Sequence, residues 1–165
     1  MPIYSDNAPR MKIYASSHQT LTLHGSTAGN KIMQYNSVLF NNAPSGHFNY
    51  GTYNGHTYSL YAAQNGQYLI ESSILSDRTT NGGYIHTYMT SYNSSGGTVM
   101  SDLVNHGLDA GAPASGWRHK VDHWVCSIPA GGHVQIKYYM YANTCSTYMS
   151  HSGISYCWAQ ITHLS

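Results

Sequence analysis

Residues 118–141 read Arg-His-Lys-Val-Asp-His-Trp-Val-Cys-Ser-Ile-Pro-Ala-Gly-Gly-His-Val-Gln-Ile-Lys-Tyr-Tyr-Met-Tyr. Two alternating runs flank one turn. The first sets Val121 and Val125 opposite Trp124, Cys126 and Ile128; the second sets Val134, Ile136, Tyr138 and Met140 opposite Gln135, Lys137, Tyr139 and Tyr141. Successive side chains of a strand point to opposite faces, so a period of two predicts strands with one face toward a core. Between the runs, Pro129 fixes φ and Gly131-Gly132 tolerates positive φ, which is the chemistry of a tight turn.

The same pattern extends in both directions. Met11–Ala15, Lys31–Phe40, His56–Ala63, Gly66–Leu75, Tyr84–Tyr92 and Ile154–Leu164 are the further strands expected. Tyr58, Leu60 and Ala62 share one face of their run, Tyr68, Ile70 and Ile74 one face of theirs, and Trp158 stands opposite Cys157, Ala159 and Ile161. Asn54-Gly55, Asn65-Gly66, Asn81-Gly82-Gly83, Ser95-Gly96-Gly97 and Ser152-Gly153 mark turns. No stretch combines a 3.6-residue apolar period with good helix formers. Strands at this spacing predict an all-β antiparallel sandwich or barrel. Residues 1–25 read as an extended N-terminal arm and residues 26–165 as the sandwich domain.

Composition excludes several classes. Only 8% of the 165 residues are charged, against about 25% in a typical domain. Sixteen Tyr, three Trp and a net charge of +1 do not describe a disordered chain, and no apolar run is long enough for a membrane helix. Arg10 with Lys12 and Arg118 with Lys120 make no basic stripe, so nucleic acid is not an expected partner. Residues 1–7 lack a basic region followed by an apolar run, so no signal peptide is read and the expected site of synthesis is a cytoplasm. Three cysteines, Cys126, Cys145 and Cys157, are not a disulfide framework. Cys145 and Cys157 flank a possible hairpin and a bridge between them is conceivable; three buried thiols is the plainer reading.

Several stretches resemble the globular head of complement C-one-q, which shares its jelly roll with tumour necrosis factor. They are Val38-Leu39-Phe40-Asn41-Asn42, Gly46-His47-Phe48-Asn49, Tyr58 to Ala63, Gly66-Gln67-Tyr68-Leu69-Ile70, Val125 to Ile136, and the closing Tyr156-Cys157-Trp158-Ala159-Gln160-Ile161. The family's usual Pro before Gly66 is absent, and Gly132 stands where the family has Asp. The resemblance implies an antiparallel jelly-roll sandwich and a homotrimer. The same fold serves virus and phage structural proteins, and a low-charge, Tyr-rich example with an arm is similar to that group.

Site residues follow from these readings. The consecutive aromatics of Tyr138, Tyr139 and Tyr141 put a tyrosine on both faces of one strand, and with Trp158 they form the expected subunit interface. Ile3, Tyr4, Ile13 and Tyr14 are the expected anchor of the arm, adding to a neighbour's sheet edge. Eleven His are present. His119 and His123 are four apart on a strand, about 13 Å, too far for one ion. A single His meeting its copies on a three-fold axis is the alternative, with His86, His123 or His133 the candidates; polar hydrogen-bonding residues are the plainer reading. No metal and no cofactor are expected. Nucleophile elbows, paired acids and phosphate loops are missing, so the chain is not read as an enzyme. The leading expectation is a virion structural protein, a trimeric capsid decoration or cement protein whose partners are itself and the major capsid or other virion proteins. Alternatives are a receptor- or glycan-binding fibre head, with host-surface glycan as partner, and a secreted ligand-like trimer.

Overall fold

The computed structural model describes residues 8–16, 19–23, 31–78, 84–107, 116–141, 145–149 and 157–165. Among them there are thirteen strands and no helix. In chain order these are β1 Arg10–Tyr14, β2 Gln19–Leu23, β3 Lys31–Ile32, β4 Ser37–Asn41, β5 Phe48–Tyr53, β6 His56–Ala62 and β7 Gly66–Arg78, then β8 Tyr84–Tyr92, β9 Thr98–Gly107, β10 Gly116–Ile128, β11 Gly132–Tyr141, β12 Cys145–Met149 and β13 Trp158–His163.

They form two antiparallel sheets. The first runs β2-β12-β7-β13-β1-β4, with β10 on the other edge of β7; the second runs β5-β6-β11-β8-β9, with β3 on β11. The chain passes from one sheet to the other at β2–β3, β3–β4, β4–β5, β6–β7, β7–β8, β9–β10, β10–β11 and β11–β12, which is the winding of a jelly roll. The two strands of residues 118–141 therefore do not pair. β10 bonds β7 along its whole length, while β11 bonds β6, β3 and β8 in the opposite sheet. The turn between them is the crossing. Gly132 sits at its end because a Cβ there would stand 2.6 Å from the Tyr92 carbonyl oxygen and 2.8 Å from that of Pro129.

Alternation places the core as the sequence implied. Tyr68, Ile70 and Ile74 of β7, Trp124, Cys126 and Ile128 of β10, and Ala159 and Ile161 of β13 face Leu60 and Ala62 of β6, Met89 of β8, and Val134, Ile136 and Tyr138 of β11. Lys31–Phe40 is not one strand. β3 belongs to the second sheet and β4 to the first, and Met33 and Tyr35 are buried in the passage between them.

The arm also differs from expectation. β1 lies inside the first sheet, bonded by β13 on one side and β4 on the other. Ile13 is 0% exposed in the chain's own core, so it is not an anchor for a neighbour. The reason is that a strand paired on both edges has no backbone groups left to donate. Tyr14 is half-buried in the same strand. Ile3 and Tyr4 lie outside the described residues. Cys157 is a free, buried thiol, so the conceivable bridge to Cys145 is not formed.

Ile13→Ala empties a fully buried site between two strand neighbours. The expected cost is about 2–5 kcal/mol, measured by denaturant unfolding. Removal of residues 1–16 takes out β1 altogether and is expected to abolish the cooperative thermal transition. A truncated chain that melts normally would contradict this placement.

Candidate functional site

Over residues 68–71 of β7 and 158–161 of β13 alternate residues are buried, and the others form an outward face on the first sheet. Register places His123, Glu71, Gln160 and Lys12 in one row across β10, β7, β13 and β1. Three of its four members have contacts within the chain. Gln160 Nε2 donates to Glu71 Oε2 at 2.7 Å, and Lys12 Nζ stands 3.6 Å from the centre of the Trp158 ring. Loss of hydration lowers the Lys12 ammonium's pKa, and the Glu71 charge opposes that shift. Apolar side chains flank the row. Val121 is 51% and Val125 57% exposed, opposite Ser73 and Leu69 in the ladder.

On this face Ser73 Oγ lies 2.7 Å from His119 Nε2. Ser73 is inside a strand laddered to Val121 and Trp158 and is 0% exposed, so the bond ties β10 to β7.

The second sheet carries an aromatic layer on its outward face. His133 sits under it with 0% exposure. Tyr92 stacks on His133 at 4.9 Å between ring centres and on His56 at 3.8 Å, and Tyr53 stacks on Tyr61 at 4.9 Å. His56 Nδ1 and His133 Nε2 share a hydrogen bond of 2.8 Å. His56 reaches this face through a bulge. β6 has one more residue than β5 between the pairs Gly51↔Ser59 and Tyr53↔His56. Tyr58 in the bulge takes φ +54°, a costly conformation for a bulky residue. The bulge reverses the alternation ahead of it, which is how such irregularities re-aim a side chain. It also removes Tyr58 from the face expected for it.

The shared bond needs one bare nitrogen, so the two imidazoles cannot both be protonated in place. The His133 pKa is pushed down to about 4, first by burial and then by His56. Burial lowers that of His56, and the Lys137 charge adds to it. Lys137 Nζ donates to Tyr92 Oη at 3.1 Å. At the edge of the core His47 and His163 form a second close ring pair at 5.1 Å, and burial with the His163 charge lowers the His47 pKa.

Of the expected interface residues, Tyr138 and Trp158 lie on different sheets and are not brought together. Tyr138 is 1% exposed, with its hydroxyl 3.4 Å from that of Tyr35 inside the sandwich. It fills this chain's own core and offers nothing to a neighbour. Tyr139 and Tyr141 pair through their backbones with His86 and Tyr84; their side chains are outside the described residues. Trp158 is half-buried on the outward face of the other sheet, next to Lys12. Of the histidines considered for a three-fold axis, His133 is enclosed and unable to meet its copies, while His123 is exposed on the first sheet. Among the described residues no three His, Cys, Asp or Glu side chains converge.

No protein-family model and no curated protein sequence matches this chain. Solved structures do. Murine APRIL at pH 8.5 superposes with a TM-score of 0.59 at 8% identity, over 94% of this chain and 98% of that one. The fold is a TNF-like jelly roll. Murine APRIL at pH 5.0 gives 0.55 at 8% identity over 95% and 99% of the two chains, and Eiger TNF from S. frugiperda gives 0.55 at 13% over 96% and 92%. The likeness extends over nearly the whole jelly roll while the sequences have little in common.

The histidine pair sets a pH dependence. An unfolded His titrates near 6.5, whereas His133 in the fold titrates at about 4. The unfolded chain therefore binds protons that the folded chain refuses. The resulting stability is fully present above the unfolded value and is lost as pH falls toward the folded one. The melting temperature is expected to be flat from pH 8 to 7 and to fall between about pH 6.5 and 4. His133→Phe keeps the ring stack, removes the titration and should shrink that fall. A profile identical in the variant would contradict the assignment.

Proposed function

We propose that this chain is a non-catalytic binding domain that assembles as a homotrimer through the outward face of the β10-β7-β13-β1 layer. The observation that carries this reading is the state of that face. In its polar row Gln160 bonds Glu71 and Lys12 lies over Trp158, while Val121 and Val125 are more than half exposed beside it. Desolvating unpaired charges is costly, and desolvating paired ones beside bare apolar groups is much less so. Half-buried Trp158 adds the aromatic component typical of subunit contacts. Resemblance to the C-one-q and tumour necrosis factor jelly rolls supports three-fold assembly.

Full-length likeness to APRIL and to Eiger TNF favours a ligand-like role, in which the trimer presents its second sheet and loop tips to a partner. This is the last of the alternatives that the sequence offered. The capsid-decoration reading gains no support from those neighbours. The low charge content of 8% and the 16 Tyr that favoured it suit any surface held against other copies. Electron microscopy of particles labelled for this protein tests it directly.

Sedimentation of the intact chain at micromolar concentration is expected to give three times the 18.2 kDa chain mass. The double variant Val121→Glu, Val125→Glu puts carboxylates into the contact and should sediment as a folded monomer with an unchanged far-ultraviolet spectrum. A wild-type monomer, or a double variant that remains trimeric, would overturn the assembly.

A further inference from the structure

Three adjacent strands of the second sheet, β9, β8 and β11, enclose a groove of about 320 Å³ on their outward face, lined by Tyr88, Thr90, Tyr92, Thr98, Ser101 and Lys137. We propose that this groove binds a saccharide carrying a carboxylate. Every lining side chain ends in a hydroxyl or an ammonium, and none in a carboxylate. Hydroxyls both donate and accept, which matches a ligand that is itself a set of hydroxyls. The volume lies at the small end of ligand pockets, roughly 300–1,000 Å³, the size of a short saccharide.

Lys137 supplies the charge selectivity. An ammonium has three donors, and the one hydrogen-bond partner described for Lys137 is Tyr92 Oη at 3.1 Å. The remaining donors call for an anionic acceptor, the strong case of a charge-assisted bond. Tyr88 lies directly opposite Lys137 in the β11–β8 ladder and is half-buried. Its side chain lines the same groove as Lys137, which gives the apolar C–H side of a sugar an aromatic ring to pack against while its carboxylate meets the ammonium.

The walls are fixed in advance. Tyr92 is held in the stack with His56 and His133, and Thr90 Oγ1 lies 3.3 Å from Ser101 Oγ. Little ordering is left for the ligand to impose. The lining has no purely apolar side chain, so nothing in it anchors the hydrophobic residues of a peptide. All six residues belong to one chain and to the sheet opposite the proposed trimer face, so the groove stands independently of assembly.

Calorimetric titration of the full chain with sialyllactose, and in parallel with lactose, tests the proposal, since the second sugar lacks the carboxylate. Sialyllactose is expected to bind about tenfold more tightly than lactose, and Lys137→Gln to remove that advantage while keeping the far-ultraviolet spectrum of the folded chain. Equal binding of the two sugars, no binding of sialyllactose, or an unaffected Lys137→Gln variant would overturn it. Displacement of sialyllactose by hexaglutamate at equal concentration would overturn the saccharide assignment in favour of an acidic peptide. Sedimentation of the same sample separates the two proposals. A monomer that binds the sugar refutes the assembly alone, and a trimer that does not bind it refutes the groove alone.

Discussion

β7 is bonded along both edges, and the remaining architecture is organised around that fact. β10 follows it from Gly66 to Arg78 on one side. On the other, β13 takes the stretch from Tyr68 to Ser73 and β12 takes Ser76 and Asp77. A strand in this position has its amides and carbonyls used up, so only its two faces are left for tertiary work. One face carries Tyr68, Ile70 and Ile74 into the core. The other carries Leu69 and Glu71 outward, and through β13 it fixes where β1 must lie.

That arrangement explains why the two outward faces differ. On the first sheet the polar groups meet one another in a row, and the apolar residues beside them stay bare. On the second, the bulge in β6 and the stacking of Tyr92 bring two imidazoles into contact under a tyrosine layer. Burial there disfavours charge, and Lys137, whose charge adds to that effect, keeps its ammonium toward the groove. A low count of charged residues in the sequence thus corresponds to two quite different surfaces, one suited to desolvation and one suited to hydrogen bonding with a polar ligand.

Much of the fold was legible because strands declare themselves locally. The alternation in residues 118–141 put Val121 and Val125 on the face opposite Trp124, Cys126 and Ile128, and Val134, Ile136 and Tyr138 on one face together, and the fold keeps both groupings. Trp158 was likewise legible as facing away from Ala159 and Ile161. Alternation says which residues share a face but not whether that face is the core. Tyr138 was therefore read as an interface residue although it is buried with Tyr35. Lys31–Phe40 carried an unbroken apolar pattern because the passage between the sheets, at Met33 and Tyr35, is itself buried.

The sequence by itself determined the all-β class, the positions of most turns and the alternating faces, since these follow from side-chain period and from glycine's freedom at positive φ. Only the tertiary structure decided which strands are neighbours and therefore which side chains meet. His56 and His133 are 77 residues apart, Lys12 meets Trp158 from the other end of the chain, and the β11–β8 register alone sets Lys137 against Tyr88. Sheet pairing satisfies backbone groups without reading side chains, so no local pattern records its partners. Register and crossing are fixed only when the whole core closes.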